Sequence, residues 1–303
     1  MKYQYPKLII KNLIILLLCI SMLIPQTVSA ATSEDAKTLE KEIEKKYGIE
    51  IVLSSEIQKG NSPIYYLKRL DNGLSLMPNG LVKKLVAYYK KKGLKTTVKI
   101  SLKDLKYGSV AGTYTPETNT IVLYEPKGSG IYFGSGLDED SILHEFGHML
   151  QNALNSLYGS KKLKEEYTKL NGKNKYGKDA YDNSTYVFAN WYAGTSYAED
   201  FAETFAQSHC RPDNFRNIYL KNSKAPLIKK AEYINNLINS VFGIKSELMI
   251  YPQQPSSKTL KILNKFIESG GMDLTYTLTY TYKIRHHELV DLIDQTLNRA
   301  KFN

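Results

Sequence analysis

The chain has 303 residues, 41 Lys and Arg against 30 Asp and Glu, a formal net charge of +11 and only two cysteines. Two cysteines cannot build a disulfide framework, so stability has to come from a hydrophobic core, which a chain of this length can provide. The basic excess is spread along the sequence and no nucleic-acid-binding motif accompanies it, which argues against a nucleic-acid partner.

The first thirty residues read as a secretory leader. Lys2, Lys7 and Lys11 precede the apolar run from Leu13 to Ile24, and Val28-Ser29-Ala30 before Ala31 fits a signal-peptidase site. The run is shorter than the ~20 residues a bilayer span needs, and no later stretch qualifies, so stable membrane insertion is not expected. Processing would remove Cys19, three lysines and no acid. That leaves Cys210, a charge of +8 and 273 residues.

From Ser33 to Gly48 the pattern predicts a helix, followed by a strand from Ile49 to Leu53. A second helix is expected from Asn79 to Lys92, stopped by Gly93. Thr97 to Leu102 alternates Val98, Ile100 and Leu102 with polar residues, as a half-buried strand does. Val110–Tyr114 and Thr120–Tyr124 flank a turn and read as a hairpin. The strand just before the next helix is placed to pair with an extended peptide, with one more strand of the sheet as the alternative. A Gly-rich stretch, Lys127 to Gly136, separates sheet from helix.

Leu143-His144-Glu145-Phe146-Gly147-His148 follows on a predicted helix that begins near Asp138. Residues four apart share a helical face, so His144 and His148 can grip one metal ion while Glu145 sits beside the water that the metal would bind. That pattern points to a zinc-dependent peptide hydrolase with Glu145 as general base. Leu143, Phe146, Leu150, Leu154 and Leu157 form an apolar stripe that would bury another face. Gly147 costs about 1 kcal/mol inside a helix, which implies a close-passing backbone.

Beyond the motif, Tyr158 to Asn183 reads as polar loop with some helix, and helices are expected near Ala198–His209 and Pro226–Phe242. Lys90-Lys91-Lys92, Lys161-Lys162 and Lys229-Lys230 read as solvated faces, with contact to anionic cell-surface polymers as the alternative. His209 reads as a helix C-terminal interaction, Cys210 has no nucleophile context, and His286-His287 read as a surface pair. The tail from Lys245 changes character: linker, helix, a period-two strand over Asp273–Arg285 and a last helix predict a small α/β extension over 245–303.

Two histidines leave a catalytic zinc site one protein ligand short. Gln151 and Leu154 stand where a metzincin would have its glycine and third histidine, so a carboxylate from a later helix is the alternative. Glu199 is the best placed, with Glu203 one turn on as a carboxylate that could orient a ligand imidazole. Ser196-x-x-Glu199 is equally a capping box, in which Glu199 would only cap a backbone N–H.

His144-Glu145-Phe146-Gly147-His148, followed by Tyr192 to Phe205, resembles the catalytic domain of the anthrax lethal factor-like zinc metallopeptidases, a superfamily shared with the secreted clostridial Pro-Pro endopeptidases. The resemblance spans roughly residues 49–242 and is specific in those two blocks. It implies an α+β, zincin-like domain over 31–244: a small mixed sheet, an active-site helix and a helical C-terminal lobe. It implies one Zn²⁺ on His144, His148 and Glu199, and Tyr192 aimed at the scissile carbonyl. Asp200 departs from the aromatic residue expected after the ligand glutamate. The chain is therefore expected to be a secreted, extracellular, monomeric endopeptidase acting on protein or peptide substrates. The alternative is a non-catalytic, zinc-stabilised binding protein of the cell surface.

Overall fold

The structure, a computed structural model, describes residues 33–59, 63–103, 111–127, 137–177, 180–182 and 184–249. The expected leader (1–30), the Gly-rich stretch after Lys127 and all but the first residues of the expected 245–303 extension, His286 and His287 included, lie outside them.

The described fold is α+β: a small mixed sheet and a mostly helical remainder. In chain order come α1 (Ser33–Tyr47), β1 (Glu50–Leu53), α2 (Ser55–Lys59), α3 (Pro63–Ser75), α4 (Leu81–Lys91), β2 (Thr97–Lys103), β3 (Gly112–Thr115) and β4 (Thr120–Pro126). Then follow α5 (Glu139–Leu154), a π-turn (Asn155–Gly159), α6 (Ser160–Lys169), a 3₁₀ turn (Ala193–Thr195), α7 (Tyr197–Cys210), α8 (Pro212–Lys221) and α9 (Pro226–Phe242). None of these helices is long and apolar enough to cross a membrane.

The sheet order is β1-β2-β4-β3, with β1, β2 and β4 parallel and β3 antiparallel to β4. Register places Ile51 beside Val98 beside Ile121, and Leu53 beside Ile100 beside Leu123, so one face is a continuous buried apolar layer. β4 is paired on both sides and cannot accept another strand. Among the described residues the sheet edge beside α5 is β3, one strand earlier in the chain than the strand that directly precedes that helix.

Between Leu53 and Asn79, where the sequence reading assigns no element, α2 and α3 form. Pro63 starts α3 at the position where its missing N–H is not needed, and Leu67, Leu70 and Leu74 bury one face. Each such leucine stabilises the core by about 1.5–3 kcal/mol. Gly73 lets α3 cross α5 closely: a Cβ there would sit 2.8 Å from Ile142 Cδ1.

One further expectation changes. Leu157 is half exposed rather than buried, because the π-turn at Asn155–Gly159 adds a residue to the helical repeat and turns the stripe out of phase. The helical part of the polar stretch after Tyr158 is α6, which buries Leu163 and Tyr167 under a lysine-rich outer face.

Candidate metal centre

α5 begins as its sequence requires, with Asp138 accepting the Ser141 N–H at 2.8 Å and Glu139 and Asp140 in the first turn. Its inner stripe, including Leu143, Phe146 and Leu150, is fully buried. The neighbouring face carries His144, Glu145 and His148, of which His144 and Glu145 are also buried.

α7 packs across this face. A Cβ on Gly147 would fall 2.9 Å from Ala202 Cα, so the close-passing backbone implied by a glycine in mid-helix is that of α7. Such closeness brings Glu199 and Glu203, one and two turns into α7, onto the histidines. Glu199 Oε2 lies 3.2 Å from His144 Nε2 and 3.4 Å from His148 Nε2, and the two Nε2 atoms are 3.0 Å apart. Among the described residues these three side chains form a candidate metal-holding group. Ser196 does cap α7 through the Glu199 N–H at 3.2 Å. The Glu199 carboxylate, rather than completing a capping box, turns to the imidazoles.

The donors fit a divalent cation. Glu199 Oε2 is buried without a hydrogen-bond partner. A tetrahedral ion with bonds of about 2.0–2.1 Å would separate its ligand atoms by about 3.3 Å, close to the three distances found. Two imidazoles and one carboxylate form the nitrogen and oxygen set that zinc accepts. The charges agree. Burial disfavours the charged form of His144, yet the Glu199 and Glu203 carboxylates outweigh it and raise its pKa to about 10. Burial likewise pushes Glu199 up, and both imidazoles more than reverse it, holding its carboxyl well below the usual range. The centre thus draws positive charge.

Glu203 Oε1 lies 3.0 Å from His144 Nδ1, which places a carboxylate behind the first imidazole. Glu145 is not one of the converging donors. Its carboxylate rests on β3, where a Cβ at Gly112 would come within 2.8 Å of Oε1. Burial pushes the Glu145 pKa up, the two imidazoles oppose this, and Glu199 and Glu203 add to the rise. Tyr192 stands across the centre, its ring 5.8 Å from that of His144. Burial and the neighbouring Glu199 carboxylate keep its phenol protonated. These groups line an open cleft of about 420 Å³, walled on one side by Gly112, Thr113 and Tyr114 of β3.

Behind the centre, Asp200 and Lys230 are both wholly buried and paired at 2.6 Å. Asp200 also accepts from Tyr176 at 2.9 Å, and Lys230 donates to Val187 O at 2.8 Å. Lys230 is therefore not part of a solvated face. The residue that departs from the lethal factor-like pattern is a buried acid with its own counter-ion. His209 lies within the last turn of α7, bonded through Nδ1 to Phe205 O at 2.8 Å, and burial lowers its pKa to about 4, so it is neutral there. Cys210 faces the Asp140 carboxylate, and burial pushes its thiol up, away from a nucleophilic thiolate.

Sequence reading missed Gly112, Asn190 and the Asp200–Lys230 pair. A glycine inside a strand pattern signals a close neighbour, and Gly112 was legible on that ground.

No protein-family model and no curated protein matches the chain. Among solved structures, a candidate zinc-binding metallo-peptidase from Bacteroides caccae is similar over 80% of this chain and 95% of its own, with a TM-score of 0.45 and 16% identity. A likeness that weak adds no weight, so function rests on the geometry of the site.

Proposed function

We propose that the chain is a secreted zinc-dependent endopeptidase of the lethal factor-like kind, built on the zincin arrangement. His144, His148 and Glu199 hold one Zn²⁺, Glu145 is the general base and Tyr192 stabilises the oxyanion. The observation that carries this reading is a spare buried carboxylate, Glu145, set beside a converging two-imidazole, one-carboxylate donor set without belonging to it. When bound, zinc supplies Lewis acidity, enough to bring the pKa of a coordinated water from 15.7 to about 7.

The protein's own groups do the rest. Glu145 accepts a proton from the attacking water and passes it to the leaving amine. Tyr192 donates its phenolic hydrogen to the oxyanion that develops on the substrate carbonyl, a contact worth about 3 kcal/mol in the barrier. Glu203, with Oε1 3.0 Å from His144 Nδ1, favours the tautomer whose Nε2 lone pair points into the centre. An extended protein or peptide substrate adds to the edge strand β3. Exposed lysines such as Lys90, Lys91 and Lys161 supply weak contact with anionic polymers outside the cell, and the chain acts as a monomer.

A non-catalytic zinc-stabilised binder has no use for Glu145 or Tyr192, and structural zinc sites close with a fourth protein ligand. The test is a peptide-library digest of the full chain, with and without chelator, beside Glu145→Gln. The parent should cleave, lose cleavage on chelation and regain it with zinc. Glu145→Gln should retain one zinc by elemental analysis and cleave nothing. A zinc-loaded parent that leaves every peptide intact, or a variant as fast as the parent, refutes the proposal.

A further inference from the structure

Asn190 ties the segment that carries Tyr192 to the helix that bears Glu199 and Glu203. Asn190, half-buried and two residues before Tyr192, donates from Nδ2 to Glu203 Oε2 at 2.7 Å. Its Oδ1 accepts the Ala193 N–H at 2.8 Å. Glu203's other oxygen is the one that faces His144 Nδ1 at 3.0 Å. A continuous path of polar contacts therefore runs from the peptide group that follows Tyr192, through Asn190 and Glu203, to an imidazole of the centre.

Tyr192 is held on its other side as well. Thr195 Oγ1 donates to Tyr192 O at 2.6 Å, and the Thr195 N–H donates to the same oxygen at 3.0 Å. With both its carbonyl and the next N–H fixed, the ring can move only about its side-chain torsions. An amide is the group this place requires. Asp could accept from Ala193 but would set a second carboxylate against Glu203, and Ser could cap the turn but would not reach α7. A local cap needs only the Oδ1 bond, whereas the Nδ2 bond crosses from the loop to α7.

We infer that Asn190 is a positioning residue: by bonding Ala193 N and Glu203 at once, it holds Tyr192 in register with His144. Its effect on rate rests on the peptidase reading above; its effect on the segment does not. Trp191, the chain's only tryptophan, adjoins Tyr192 with ring centroids 5.6 Å apart and reports on that segment directly.

The test compares the full chain with Asn190→Asp and Asn190→Ala. Time-resolved anisotropy of Trp191 is recorded with zinc and with chelator, and kcat and KM are measured with Tyr192 present and in a Tyr192→Phe background. Both substitutions should enlarge the fast component of Trp191 motion. With Tyr192 present they should lower kcat by about tenfold to a hundredfold at nearly constant KM. In the Tyr192→Phe background the same substitutions should change kcat by less than about twofold, because the group they misplace is already gone. Unchanged Trp191 motion, or an equal loss of kcat in both backgrounds, overturns the inference. A parent that cleaves nothing while Trp191 loosens as expected would sink the peptidase reading and leave the positioning of the segment standing. Should Asn190→Ala fail to fold, Asn190→Asp, which keeps an acceptor for Ala193, decides both comparisons.

Discussion

Lys230→Met removes one charge from the most deeply buried ion pair described. Lys230 Nζ lies 2.6 Å from Asp200 Oδ2, 2.8 Å from Val187 O and 4.5 Å from the Phe188 ring centroid. Burial pushes Asp200 up and Lys230 down, and their mutual contact opposes both shifts. Removing the ammonium leaves a wholly buried carboxylate with a hydroxyl from Tyr176 at 2.9 Å and a longer contact to Thr204 at 3.4 Å. It also strands the Val187 carbonyl. Breaking one partner of such a pair costs about 3–5 kcal/mol, whereas neutralising both often costs little. In a domain of this size that loss corresponds to a melting temperature lowered by roughly 6–20 °C. Combining Lys230→Met with Asp200→Asn should recover about 2 kcal/mol of the single loss. Urea unfolding followed by Trp191 fluorescence and far-UV circular dichroism measures both. A single-variant loss under about 1 kcal/mol, or a double variant equal to the sum of its singles, would refute the reasoning.

Gly147→Ala drives a methyl group to within 2.9 Å of Ala202 Cα and pushes the two ligand-bearing helices apart. It should cost about 1–3 kcal/mol and weaken zinc binding, read by competition with a chromophoric chelator; unchanged affinity would contradict the packing account. His209 makes stability depend on acid: its pKa of about 4 in the fold lies below the ordinary 6.5, so the unfolded chain binds the proton more readily. The stabilisation is complete above pH 6.5 and falls away as pH drops towards 4, by about 3 kcal/mol at most. His209→Asn should flatten stability across that window, and an unaltered slope would exclude His209 as the cause.

How much was legible follows from which contacts are local. His144, Glu145 and His148 repeat within one turn of one helix, so their spacing alone brings them together. Glu199 carried two readings, ligand and cap, and choosing between them needs the crossing of α7 over α5 at Gly147, a contact 55 residues apart in sequence. The zincin arrangement, the secretory leader and the tail beyond the described residues remain expectations of the sequence alone. Lys230 was misread as one of a solvated pair. Its helical phase held the correction, because Leu227, Lys230, Ala231 and Ile234 recur on the face that α9 buries. α3 was legible in the same way, from Leu67, Leu70 and Leu74. The π-turn after α5 was not: one extra residue in a helical repeat leaves no clear mark on the pattern, and it alone rotates Leu157 outward.

The glycine at 112 gives the hairpin a grip on the chemistry. Glu145 rests its carboxylate on the backbone of β3, whose register is set by β4 and by the turn that joins them, where Asn119 adopts a left-handed conformation with its amide bonded to Thr96. Lengthening or reshaping residues 116–119 would tilt the outermost strand and carry the proton acceptor with it, while both imidazoles stayed on their helix. Loop grafting around this cleft therefore meets a limit at that turn, however far it lies from the cation.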